Sequence, residues 1–332
     1  MKIRLRACAA LIAVMLSASG SALAQYAIVV KDTHNPYMIR MREGFQRACA
    51  ELGVEAVFTG PGADGYPDQA QCVRTLIEQG AEAVAIAVND QAALADALNE
   101  AIAAGVPIVS LDSMVDPQRR IVHIQQASPE MIGRVLIQAG AQMIGGKGQF
   151  AILTTTPAMP NQADWVRWME YELNAYPEKY SSMELVRIAY GLDEYAASAD
   201  AARELLDHYP DLKLIIAPTV VGIRAAAETV EAAGSPVLVT GLGLPSEMAG
   251  HIQSGVCPWM YLWNPSNVGY LAAYVIDTLL KGGASGMLGE VFSAGALGDR
   301  VITESGDGGT EVVLGNPQMF DRTNIMVWKE MM

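Results

Sequence analysis

The chain has 332 residues, 51% hydrophobic and only 17% charged, with a formal net charge of -14. An acidic chain has no basic surplus to neutralise phosphates, which argues against a nucleic-acid partner. An apolar content this high, with no stretch long enough to span a bilayer, points to a well-packed α/β protein.

Residues 1–24 read as a secretory signal segment. Lys2, Arg4 and Arg6 open it, an apolar run follows over 7–16, and Ala22-Leu23-Ala24 fits a small-x-small cleavage pattern. The run is too short for a transmembrane anchor. Cleavage after Ala24 leaves 308 residues with a formal charge of -17. No cysteine stands at the cleavage point to carry a lipid, so a soluble, exported product is expected.

Residues 26–30 form an apolar run typical of a buried parallel strand. Asn35-Pro36 then opens a helix whose apolar face is Met38, Met41, Phe45, Cys49 and Leu52, and Gly53 stops it. Strands are expected at 54–58, 83–88 and 108–111, with helices from about 68 to 80 and from 91 to 104 between them. Residues 121–124 are a fifth strand or a connector. Repeated βα units with short loops make a parallel sheet with right-handed crossovers. A second series follows: helices near 129–144, 164–175, 196–209 and 223–233, and strands at 150–154, 185–189, 214–217 and 237–242. Residues 260–263 read as a strand and 267–280 as a helix. The tail, 289–324, is glycine-rich with short strands, and 305–309 reads as a hairpin turn.

The two series share a motif. Ala103-Ala104-Gly105-Val106-Pro107-Ile108-Val109-Ser110 recurs 129 positions later as Ala232-Ala233-Gly234-Ser235-Pro236-Val237-Leu238-Val239. Each is a helix end, a glycine stop, a proline and a buried strand. Two copies of one α/β lobe leave a cleft between them. No Pro/Ser-rich tether or charge block separates them, so the connection is a structured hinge.

Signatures of catalysis are missing. Gly60-Pro61-Gly62-Ala63-Asp64-Gly65 fits G-x-G-x-x-G literally, but prolines break the run and no helix opens in it, so it reads as a βα loop. There is neither a P-loop nor a G-x-S-x-G elbow. His34, His123, His208 and His251 are scattered and lack metal-ligand spacing, so no metal or cofactor is expected. His123 suits a structural hydrogen-bonding role, and His208 and His251 suit helix surfaces. Cys49, Cys72 and Cys257 show no metal spacing either and are expected reduced and mostly buried.

What stands out is the chemistry at the carboxyl ends of the strands, where open α/β sheets bind ligands. Those positions hold Lys31, Asp112, Asn161, Gln162, Pro218, Thr219 and Asn264, with Tyr37, Trp165 and Trp263 close by. Carboxylate, amide and ammonium groups fork hydrogen bonds to vicinal hydroxyls, and aromatic rings cover the apolar face of a sugar. Each residue alone has an ordinary explanation as turn, core or solvated surface. Together they are a polyol-binding inventory.

These segments carry a resemblance. Val30-Lys31-Asp32-Thr33-His34-Asn35-Pro36-Tyr37, Ser110-Leu111-Asp112-Ser113, Pro160-Asn161-Gln162-Ala163-Asp164-Trp165, Ala217-Pro218-Thr219, Thr240-Gly241-Leu242-Gly243-Leu244-Pro245 and Leu262-Trp263-Asn264-Pro265 match in order. On them, residues 25–332 resemble the type I periplasmic sugar-binding proteins of ABC transporters, within the subgroup of rhamnose-binding and autoinducer-2-binding proteins. The resemblance implies two doubly wound parallel-sheet lobes joined by a three-strand hinge. It places the first lobe at 25–125 plus 265–295, the second at 126–262 plus 310–332, and the crossings near 125–127, 263–265 and 294–310. It implies ligand contacts from Lys31, Asn35, Tyr37, Asp112, Asn161, Gln162, Trp165, Pro218, Thr219, Gly243 and Asn264, and a membrane permease as partner. A chemoreceptor is a second compatible partner. In the autoinducer-2 group an aspartate stands where this chain has Asn161, and an alanine where it has Val220. A lost carboxylate removes a charge-assisted acceptor, which counts against autoinducer-2. Asn161-Gln162, with Asn35-Pro36 and Gly241-Leu242-Gly243-Leu244-Pro245, resembles the rhamnose-type group more, which implies a rhamnose-like deoxysugar or a related monosaccharide or polyol. Two other classes remain. A secreted sugar-acting enzyme would use Asp112 and Lys31 for acid–base work. A repressor of the related two-lobe fold would need a helix-turn-helix and a basic face, which this chain lacks.

Overall fold

Residues 25–62 and 68–332 are described by the computed structural model. The signal segment and part of the G-x-G-x-x-G run therefore lie outside the described residues.

Strand β1 (Gln25–Val29) is buried on both sides. Tyr26 and Ile28 join one core cluster while Ala27 and Val29 join the other, as expected of a central parallel strand covered by helices on two faces. Helix α1 (Pro36–Leu52) starts where the Asn35 side chain accepts from the Tyr37 N–H and ends at left-handed Gly53. Then come β2 (Glu55–Thr59), α2 (Gln69–Glu78), β3 (Ala83–Ile86), α3 (Gln91–Ala103), β4 (Ile108–Leu111) and β5 (His123–Gln125). His123 is fully buried and bonds Ser110 Oγ and Gln125 Oε1 through its two ring nitrogens, at 2.8 and 2.6 Å. Burial, helped by nearby Arg120, holds its pKa down at about 3, so it is a neutral structural histidine.

The chain crosses to the second lobe after β5. There it runs through α4 (Pro129–Ile144), β6 (Gly148–Thr154), α5 (Pro160–Ala175), α6 (Pro177–Tyr180), β7 (Met183–Tyr190), α7 (Tyr195–His208), β8 (Leu212–Ala217), α8 (Val220–Ala232), β9 (Leu238–Gly241), α9 (Pro245–Ser254) and β10 (Trp259–Leu262). It returns at 263–264 into α10 (Pro265–Leu280), which packs on α1 in the first lobe. The tail forms β11 (Val291–Ser293), β12 (Asp299–Val301), β13 (Thr303–Glu304), β14 (Thr310–Val313), β15 (Gln318–Asp321) and α11 (Ile325–Trp328).

The first lobe holds a seven-stranded sheet in the order β13-β14-β5-β4-β3-β1-β2. The second holds β7-β6-β8-β9, all parallel, with β10 set beside β9 through a Leu242–Tyr261 bridge and β15 antiparallel to β10. One expectation is corrected here. Residues from 310 were expected in the second lobe, but Glu311, Val312 and Val313 pair in parallel with His123, Ile124 and Gln125 of β5. The last crossing therefore follows residue 313 instead of falling within 294–310, and only β15 and α11 return to the second lobe. Helix α9 was given no bounds by the sequence, although His251 was read as a helix-surface residue; Pro245 opens it and left-handed Gly255 closes it. Cys49, Cys72 and Cys257 are buried and unbridged.

Candidate functional site

The carboxyl ends of β1 and β4 face the N-terminal turns of α5 and α8 across the cleft. Lys31 follows β1 and Asp112 follows β4, and their side chains meet at 2.6 Å with only 9% and 4% exposure. Asp112 holds a left-handed backbone, φ 61°, and the Ser113 N–H donates back to the Leu111 carbonyl around it. Among non-glycine residues aspartate tolerates that conformation better than most. The strain is held by its surroundings: the Asp112 N–H donates to the Ile124 carbonyl, and Gln126 at the lobe crossing donates to the Asp112 carbonyl.

The second lobe completes the cluster. Asn161 lies in the first turn of α5, one turn earlier than the sequence suggests, because the helix opens at Pro160. Its Oδ1 accepts from Lys31 Nζ at 3.2 Å and its Nδ2 donates to Asp112 Oδ2 at 3.1 Å, so one amide bridges the lobes. Gln162 beside it accepts from Thr154 Oγ1 and donates to the Pro218 carbonyl, which ties α5 to the ends of β6 and β8.

A second bridge between the lobes runs from Asn35 Nδ2 to Asp193 Oδ2, at 2.7 Å. Asp193 also accepts from Thr219 Oγ1 through its other oxygen. Burial raises its pKa, against the pull of the Thr219 hydroxyl and the Lys31 charge. Like Asp112, it sits at positive φ, 58°, and these two aspartates and Leu192 are the non-glycine residues with that backbone among the described residues.

The apolar wall is aromatic. Trp263, on the crossing into α10, donates its Nε1–H to Tyr37 Oη at 2.7 Å and meets the rings of Tyr37 and Trp165 edge-on, at 6.3 and 5.9 Å. Burial and the Asp112 carboxylate push the Tyr37 hydroxyl well above its usual pKa, so it stays protonated. Two polar atoms of this cavity have no hydrogen-bond partner among the described residues: Trp165 Nε1 and Thr155 Oγ1, on residues 3% and 2% exposed. The walls surround about 440 Å³ of atom-free space, counting the open mouth.

A family model for periplasmic binding protein domains matches residues 26–284. The chain belongs to that family. This periplasmic binding protein is 38% identical to an ABC transporter solute-binding protein from Clostridium phytofermentas solved with bound L-rhamnose; the match covers 93% of this chain and 99% of that one, with a TM-score of 0.89. LsrB from Clostridium saccharobutylicum, solved in complex with AI-2, shares the fold at 20% identity and a TM-score of 0.83, over 92% and 99% of the two chains. The D-allose-binding periplasmic protein of Escherichia coli is 24% identical over 78% of this chain and 85% of its own.

Of the residues that the sequence singles out in this periplasmic binding protein, Lys31, Asn35, Tyr37, Asp112, Asn161, Gln162, Trp165, Pro218 and Thr219 all line the one cavity. Gly243 and Asn264 do not. A side chain at Gly243 would meet Met260, Met248 and Ile223 within about 3 Å, so this glycine packs inside the second lobe. Asn264 caps α10, its Oδ1 accepting from the Ser266 N–H. Sequence reading missed Asp193 and Thr155. Both sit just past strand ends, Thr155 after β6 and Asp193 three residues after β7, so the rule that found Lys31 and Asp112 reaches them too. Among the described residues no three His, Cys, Asp or Glu side chains gather as a metal site, and no helix is long and apolar enough to cross a membrane.

Proposed function

We propose that this protein is the exported solute-binding component of an ABC importer, that it closes on one monosaccharide of the L-rhamnose type, and that it hands the sugar to a membrane permease. The observation that carries this reading is the pairing of the Lys31–Asp112–Asn161 cluster with the Tyr37–Trp165–Trp263 wall in one cleft cavity. A pyranose offers hydroxyls to the charged edge and a C–H face to the rings, and it can partner the unpaired Trp165 Nε1 and Thr155 Oγ1. The L-rhamnose-bound relative, at 38% identity over nearly the full length of both chains, supports a deoxysugar. The permease, or a chemoreceptor, would read the closed arrangement of the two lobes, because only that separates loaded from empty protein.

An autoinducer-2 site is less well matched, since Asn161 supplies a neutral amide where that group's pattern has a carboxylate. Catalysis is disfavoured as well. Asp112 Oδ2 already accepts from Lys31 and Asn161, so it is held as an acceptor and is not free to shuttle protons.

Trp165 and Trp263 in the cavity wall provide the assay. Tryptophan emission of unfolded, ligand-stripped and refolded protein is expected to change on adding L-rhamnose, and to change little with D-ribose, D-allose or autoinducer-2. No response to any sugar, polyol or autoinducer-2 would overturn the reading.

A further inference from the structure

Asp112, Asn161 and Trp165 line two spaces. Beyond the cavity described above, they also face a larger chamber between the lobes, with about 1570 Å³ of atom-free space counting its open mouth. The first lobe contributes Gln91, at the start of α3, and Glu311, on β14. The second contributes Asp164 and Trp168 from α5. Trp168 follows Trp165 by three residues and so sits on the same side of the helix. It is half-buried and held on edge against Tyr171, ring centroids 5.1 Å apart.

This chamber repeats the chemistry of the inner cavity. It sets amide and carboxyl groups beside a fixed aromatic ring. The Glu311 carboxyl has no hydrogen-bond partner among the described residues, and burial raises its pKa to about 7, with Asp307 adding to the rise and Arg120 opposing it. A carboxyl group poised there can donate or accept near neutral pH, which suits a hydroxyl partner. An apolar occupant would leave the Glu311 carboxyl unpaired, and an anion would meet a negative surplus, because Glu130, Asp164, Asp307 and Glu311 face one lining guanidinium, Arg167, which is already paired with Asp164. What remains is a neutral, polyhydroxylated ring.

We propose that the chamber is an outer subsite for a second sugar ring, so that the protein accepts a disaccharide or glycoside. One ring fills the inner cavity and the linkage passes beside Asp112, Asn161 and Trp165. The proposal rests on the sugar-binding reading of the inner cavity. Shape makes Trp168 the platform and Gln91 the opposite wall, and neither lines the inner cavity.

Titration calorimetry with three probes tests this: L-rhamnose, a disaccharide carrying L-rhamnose at its non-reducing end, and one carrying it at its reducing end. One of the two disaccharides is expected to bind within about tenfold of L-rhamnose. Trp168→Ala removes the platform and Gln91→Trp narrows the chamber from the opposite lobe. Each should weaken that disaccharide by about tenfold or more while leaving L-rhamnose within about twofold, which also shows the variants to be folded. The proposal is overturned if L-rhamnose binds and neither disaccharide does, or if the disaccharide that binds ignores both variants. If no monosaccharide binds either, the inner-cavity reading fails and takes the outer subsite with it.

Discussion

Asp112 combines a left-handed backbone with a buried ion pair, and the two have different consequences for substitution. From sequence alone, Asp112→Ala is expected to abolish binding and leave folding intact. The ion pair changes the second half of that expectation. Removing the carboxylate strands the Lys31 ammonium at 9% exposure, and breaking one side of a buried pair typically costs about 3–5 kcal/mol. Denaturant unfolding of Asp112→Ala should show a loss of that order, and Lys31→Met with Asp112→Asn in one chain, which removes both charges and keeps a residue suited to the left-handed backbone, should recover much of it while still failing to bind. Wild-type stability in Asp112→Ala would mean that the pair contributes little to the fold. At this scale the sequence was informative because ligands in α/β sheets gather at strand ends. The resemblance also implied a contact from Gly243, but that glycine packs internally against Met248 and Met260.

At the scale of elements, α1 and α10 approach closely enough to exclude side chains. A Cβ on Gly44 would lie 1.6 Å from the Ser266 carbonyl oxygen, and one on Gly269 would lie 1.9 Å from that of Met41. Neither backbone can yield without moving a helix. Gly44→Ala should therefore destabilise by at least the 1–3 kcal/mol usual for overpacking and lower the melting temperature by several degrees. Because α10 begins directly after Trp263, sugar affinity should fall too. A melting temperature within about 1 °C of wild type would show that the helices separate freely. The alternation of buried strands and amphipathic helices was legible from hydrophobic periodicity in both lobes. The partner of β14 was not: a four-residue strand after a glycine turn has no pattern of its own that distinguishes one sheet edge from another, and β5 selects it through tertiary pairing. The start of α5 was also hidden, because Pro160 reads equally as a loop residue and as the first residue of a helix, and that choice decides whether Asn161 reaches Lys31.

At the scale of the whole molecule, the polar bridges between the lobes include Lys31–Asn161, Asn161–Asp112 and Asn35–Asp193. Hydrogen bonds to a charged group are worth about 1.5–3 kcal/mol each. Asp193→Asn keeps the volume but sets an amide donor against the donors of Asn35 or Thr219. Sugar affinity should drop by about tenfold to a hundredfold, and solution scattering at saturating sugar should show a more open average shape than wild type. Unchanged affinity would mean that this bridge plays no part in closure. The central claim is that the cleft cavity binds a single deoxysugar, and calorimetric titration of L-rhamnose into unfolded, stripped and refolded wild-type protein tests it most directly. The account predicts saturable binding of one sugar per chain, with the heat abolished in Asp112→Asn. No binding to the wild type, or equal binding to the Asp112→Asn variant, would contradict it.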